Sequence, residues 1–178
     1  MKVLLHMCCA NCAIYPVEEL RSAQHEVTGF FFNHNIHPYQ EYRKRLETVQ
    51  QYAEICSLPM VYRDAYLLEE FLAQVAADPA ARCNYCYRSR LEETAKHAAE
   101  QGFEAFTTSL LYSRYQQHDA IASYGRQLAE EWGLTFIYED YRRGWQQGIR
   151  TSKEMGLYRQ QYCGCIYSEK DRYHPRQG

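Results

Sequence analysis

Five short apolar runs, each followed by a stretch of helical spacing, limit what this chain can fold into. Val3–Leu5, Val27–Asn33 (VTGFFFN), Met60–Arg63, Phe103–Ser109 (FEAFTTS) and Leu134–Tyr138 (LTFIY) read as strands. Between and after them, Ala13–Ala23, Tyr39–Cys56, Leu67–Ala76, Arg88–Gln101 and Ala120–Trp132 read as helices. In the second of these, Leu46, Val49, Tyr52, Ala53 and Cys56 recur on one face. Asp78-Pro79 ends the third, and Gly102 and Gly133 stand at the C-terminal ends of the last two. Strict alternation of strand and helix predicts an α/β fold: a Rossmann-like (HUP-like), largely parallel sheet with flanking helices. A helical or irregular C-terminal segment follows. With 178 residues and no shift of composition along the chain, a single domain over 1–178 is expected. In open parallel sheets, sites form beyond the carboxyl ends of the strands. The loop after the first strand is such a place, and it reads HMCCANCA.

That loop carries Cys8, Cys9 and Cys12 where a phosphate-binding version of the fold would carry glycines, so ATP chemistry there is disfavoured. Seven of the eight cysteines fall in three tight groups: CCxxC, CxxC at Cys83 and Cys86, and CxC at Cys163 and Cys165. No apolar run is long enough to span a membrane, and Met1–Ala13 is a poor signal peptide, so a cytoplasmic, reducing location is expected. There, clustered cysteines bind metal or do redox chemistry more often than they form structural disulfides. The CxxC pair precedes a predicted helix, whose first N–H groups stabilise thiolate charge. Two ligands from it and two from the first loop make a four-thiolate site. Zinc and an iron–sulfur cluster both accept four thiolates. Adjacent Cys8 and Cys9 do not easily turn both sulfurs toward one small ion, which favours a [4Fe–4S] cluster, whose separate irons accept neighbouring residues. A thiol exchanger would need only one CxxC. The CGC pair reads either as an easily reduced, strained disulfide or as two more ligands. Cys56, on the apolar face of its helix, reads as a core residue.

Charge is unevenly spread. Residues 1–140 hold 12 Lys and Arg against 19 Asp and Glu, whereas residues 141–178 hold 8 against 3. The basic stretch, which includes Arg176, interleaves Tyr141, Trp145, Tyr158, Tyr162, Tyr167 and Tyr173, a pattern that suits RNA with unstacked bases or, equally, a solvated helix face.

Taken together, HMCCANC, NHNIHPYQEYRKR, RCNYCYRSRL, FTTSLLYS, DYRRGW and SKEMGLYRQQYCGCIYS resemble the cobalamin-independent epoxyqueuosine reductases, the QueH family, from Val3 to about Ser168. The resemblance implies removal of the epoxide oxygen from epoxyqueuosine at the wobble position of tRNA, the last step of queuosine synthesis. It implies a [4Fe–4S] cluster on Cys8, Cys9, Cys83 and Cys86, and a redox-active pair at Cys163 and Cys165. It also implies a second, mononuclear iron, to which Cys12 stands placed to offer a ligand. The expected partners are tRNA and an external electron donor, with no membrane. For tRNA binding the candidates are Arg142, Arg143, Trp145, Arg159 and His37. His34 and His37, after the second strand, read as proton donors, substrate binders or polar turn residues. Asp140 reads as a substrate acceptor or a helix cap, and Tyr85 and Tyr87 as shields beside the CxxC pair. Two readings from other classes stand beside this one: a zinc-stabilised RNA-binding module and a thiol-dependent tRNA sulfurtransferase, the latter disfavoured by the lack of an ATP loop.

Overall fold

Val3, Leu4 and Leu5 are buried on both sides of strand β1 (Lys2–His6), as a central parallel strand requires. In the computed structural model, which describes residues 1–174, β1 lies at the middle of a five-stranded sheet. Arg176, counted above in the basic segment, lies outside the described residues. The sheet order is β3-β2-β1-β4-β5, with β2 Glu26–Phe31, β3 Met60–Tyr62, β4 Ala105–Thr108 and β5 Thr135–Phe136. Every pairing is parallel, so the α/β Rossmann-like expectation holds, and the sheet is parallel throughout.

Helices α1 (Ala10–Ser22), α2 (Tyr39–Ile55), α3 (Leu68–Val75), α4 (Arg82–Glu100) and α5 (His118–Trp132) connect the strands, and α6 (Trp145–Glu154) and α7 (Ile166–Tyr173) follow β5. Val3 and Leu5 of β1 join Ile14, Val17, Leu46 and Val49 in one apolar layer from α1 and α2. Leu4 points the other way and joins Leu91, Ala95, Ile121 and Leu128 from α4 and α5. The period-2 alternation of a strand thus feeds a core on each face. α5 stops at Gly133, whose φ of 64° closes the helix through a bond from its N–H to the Ala129 carbonyl.

Of the boundaries that differ from the sequence reading, three matter to the site. α1 begins at Ala10 rather than Ala13, so Cys12 lies in its first turn and not in the loop. α4 begins at Arg82 rather than Arg88, because the turn Pro79–Ala81 leads into it without a break, and Cys83 and Cys86 are therefore helical. β4 ends at Thr108, whose hydroxyl accepts the Leu110 N–H and starts a 3₁₀ turn over Ser109–Tyr112. The chain order reverses at β1, with β2 on one side and β4 on the other, so the crevice beyond β1 and β4 is the switch point where such sheets bind ligands.

Candidate thiol-rich active site

At that crevice His6 of β1 and Thr108 of β4 are joined by a hydrogen bond of 2.9 Å, with the second His6 nitrogen on the Phe32 carbonyl. Burial holds the His6 imidazole neutral, its pKa lowered to about 4. The chain then turns through Met7–Cys9, and Cys9 caps α1 in extended conformation. The sulfurs of Cys8, Cys9 and Cys12 lie within 4.8 Å of one another. Cys8 Sγ and Cys9 Sγ are 3.9 Å apart, close to the ~3.8 Å of two thiolates on one tetrahedral ion with ~2.3 Å bonds. Adjacent cysteines do therefore turn their sulfurs together here, against the expectation from their spacing, because the extended Cys9 backbone at the helix start redirects its side chain. Ser109, from the turn after β4, receives the Cys8 N–H at 3.1 Å and points its hydroxyl at Cys8 Sγ at 3.4 Å. The Gln160 amide lies 2.8 Å from Cys9 Sγ. Hydrogen bonds from Cys12 and Cys9 hold the Cys8 thiol well below the usual thiol range.

Cys83 and Cys86 occupy the first turns of α4, apart from that triad. Burial pushes the Cys86 thiol up to about 12 and raises Cys83 as well. One turn on, Arg90 is 1% exposed and makes no ion pair among the described residues. Its Nη2 donates to Cys86 Sγ at 3.2 Å and its Nε to the Cys86 carbonyl at 2.8 Å. Burial alone would depress this guanidinium, but the charges of Cys86, Cys8 and Cys163 outweigh that and raise it. Arg90 thus bonds Cys86 of the second thiol group and lines the same cleft as Cys8 of the first.

The CGC segment is strapped over α2. Arg45, 1% exposed, donates to the carbonyls of Cys163 at 2.7 Å and Tyr162 at 2.9 Å, while Glu41 receives its Nε at 2.7 Å. Glu41 also accepts the Tyr158 hydroxyl at 2.6 Å. Gly164, at φ 153°, packs against Asn35 and Ile36 so closely that a Cβ would press on both. Cys163 is exposed and 3.4 Å from the Gln116 amide; Cys165 is buried with Cys86 among Phe71 and Val75, and caps α7. Both are free thiols.

Cys8, Cys12, Arg90 and Cys163 line one cleft of about 790 Å³, together with Tyr112 and Trp145. That volume falls within the range of small-molecule sites. Of the candidates for RNA contact, Trp145 and Arg159 line this cleft. Arg142 is held by Asp140 through bonds of 2.8 and 2.6 Å, which keep the Asp140 carboxyl down at about 2. Asp140 also caps the turn that follows, the second of its two readings. Arg143 is spent on Glu19, Glu139 and the Tyr15 hydroxyl. His37 is 1% exposed and holds the strap: its N–H donates to Gly164, its Nδ1 accepts the Ile166 N–H, and its carbonyl accepts the Tyr162 hydroxyl. A buried residue so engaged does not reach RNA, because the polar turn NHNIHP folds inward. His34 is buried too, 2.7 Å from Ser89 Oγ and packed against Tyr85 and Phe71. Tyr87 is buried on Gln116, and Cys56 ends α2 against the first apolar layer.

Residues 3–171 match the family model described as epoxyqueuosine reductase QueH. A protein of that name from Dehalococcoides mccartyi is 38% identical over 173 residues, spanning 97% of this chain and 94% of its own. Another from Thermotoga maritima is 37% identical, spanning 96% and 91%. The chain belongs to the epoxyqueuosine reductase QueH family. It is thus an enzyme, an oxidoreductase of the QueH kind, and the resemblance read from its motifs is borne out.

For a QueH enzyme the donor set is apt: the three soft thiols gathered at Cys8, Cys9 and Cys12, with the Asn11 carbonyl oxygen buried without a partner at the cleft wall, suit a thiophilic metal such as iron or zinc. Sequence reasoning missed Arg90, Ser109 and Gln160. Arg90 carried a usable signal, since it lies four residues after Cys86 and so on the same helix face. Ser109 and Gln160 reach the first thiols only through the tertiary fold.

Proposed function

We propose that this chain reduces the epoxide of epoxyqueuosine in tRNA to the alkene of queuosine, releasing water, with 1–178 acting as one domain in the cytoplasm. The observation that carries this reading is that Cys8 and Cys12 of the first cysteine group and Cys163 of the third line one cleft at the switch point of the sheet, with Arg90, bonded to Cys86 of the second group, in the same wall, in a QueH family member. Cys8, Cys9, Cys83 and Cys86 would hold a [4Fe–4S] cluster, and Cys12 a second iron. When bound, these centres supply single-electron transfer and Lewis-acid polarisation of the oxygen.

The chain's own groups do the rest. The cleft admits the modified nucleoside and excludes bulk water from the thiols. Ser109, Gln160 and Arg90 hold thiolate charge in place. Oxidation of Cys163 and Cys165 to a disulfide yields two electrons and two protons. The epoxide consumes the same number in becoming a carbon–carbon double bond and water. An external electron donor then returns the disulfide to two thiols. Cys163 is accessible for that exchange and Cys165 is shielded.

Mass analysis of nucleosides from tRNA incubated with anaerobically reconstituted protein and a low-potential reductant tests the reading. Conversion of epoxyqueuosine to a product lacking one oxygen is expected; unchanged epoxyqueuosine with iron-loaded protein rejects it. The 3.9 Å spacing of Cys8 and Cys9 favours the zinc-stabilised RNA module as the second reading. Colourless protein with one zinc per chain and no turnover would select it.

A further inference from the structure

Tyr115 is 84% exposed, the most exposed of the large hydrophobic side chains among the described residues. Its ring meets Trp145 edge-on at 6.3 Å, and Trp145 stacks on Tyr112 at 5.2 Å and 25°. The stack is fixed from below, because the Tyr112 hydroxyl donates to the Trp145 carbonyl at 2.9 Å and Gly148 leaves it the room that a side chain would fill. Arg114 lies over the Trp145 ring at 5.3 Å from its centre. Tyr115 and Trp145 line the thiol cleft, as do Arg159 and Arg172. Charge separates this rim from the rest of the basic segment. Arg114, Arg159 and Arg172 make no ion pair among the described residues, whereas Arg142 and Arg143 are neutralised by Asp140, Glu19 and Glu139.

We infer that this rim is a single-stranded RNA grip: Tyr115, propped edge-on against Trp145, stacks an unpaired base beside the cleft, and Arg114, Arg159 and Arg172 take the flanking phosphates. Flat aromatic faces recognise splayed bases of a loop and have nothing to offer a paired duplex, whose bases are already stacked. Unpaired guanidinium groups release counterions from phosphate on binding, whereas carboxylate-paired ones gain little. The inference rests on the tRNA reading above and names the part of the cleft that would deliver the nucleoside.

The test is anisotropy of a labelled anticodon stem-loop, and of a fully paired duplex of the same composition, titrated with anaerobically prepared full-length protein at graded salt. The wild type should prefer the stem-loop. Tyr115→Ala, at an exposed position, should melt like the wild type yet bind the stem-loop about five- to a hundredfold more weakly. Tyr115→Phe should restore binding, because only the ring face is needed. Combined Arg114→Gln, Arg159→Gln and Arg172→Gln should flatten the salt slope by about two. Stem-loop binding unaffected by these changes, or a slope that moves with Arg142 and Arg143 instead, overturns the inference while leaving the tRNA reading intact. A wild type that binds no stem-loop removes both.

Discussion

Arg90 is a buried cation whose side-chain partner is a sulfur and not a carboxylate. Guanidinium groups in protein interiors are ordinarily matched by carboxylates, and Arg90 instead donates to Cys86 Sγ and faces the cleft. Replacing it by Gln should leave Cys86 without its nearest positive charge and slow its alkylation at pH 8 by about tenfold. Mass-spectrometric labelling of Cys86 in metal-free, reduced protein measures this, and Arg90→Lys should recover part of the rate. The cysteines themselves divide by role. Cys83→Ser or Cys86→Ser should strip iron and abolish turnover, since an alkoxide is a poor substitute for thiolate; iron content and visible absorbance report it. Cys163→Ser combined with Cys165→Ser should keep iron and lose catalysis. Loss of iron in that double variant would make the pair ligands.

Among the elements, the strap from Tyr158 to Cys165 is held by buried polar groups distant in sequence, Arg45, Glu41 and His37. Arg45 and Glu41 are a buried ion pair that also binds two strap carbonyls and the Tyr158 hydroxyl. Removing one member leaves the other buried and unmatched, at a cost of about 3–5 kcal/mol. Arg45→Met should therefore lower the denaturant midpoint and expose Cys165 to alkylating reagents that, of the CGC pair, reach only Cys163 in the wild type. Labelling stoichiometry at each cysteine decides it. The strap was illegible in the sequence for a physical reason: its partners, Glu41, Arg45 and His37, lie more than a hundred residues away and carry no periodic signal of their own. The five strands were legible because buried parallel strands are continuous apolar runs. The start of α4 was not, since its buried face there is Cys86, Tyr87 and Arg90, which reads as polar loop until the fold supplies the charge and ring partners.

For the molecule as a whole, three histidines set a pH limit on stability. Burial keeps His34 down at about 3 and His6 and His37 at about 4, so the folded chain holds all three neutral. The unfolded chain protonates them below about 6.5, and their contribution, present above that value, is lost as pH falls. Each fully coupled histidine gives a slope of about 1.4 kcal/mol per pH unit. Urea midpoints at pH 7 and pH 5 should show the drop, and His34→Gln should reduce it. A longer consequence follows from where the helices begin. Cys9 caps α1, Cys83 lies in the first turn of α4, and Cys165 caps α7. Each helix start carries about half a positive charge. With Arg90, and with Arg45 offset by Glu41, they set about two and a half charges of one sign around the sulfurs. On the proposed function, such a cage would make incoming electrons cheaper to hold than they would be in water, so the midpoint potential would rise and a milder donor would serve than the same ligands would need on an open surface.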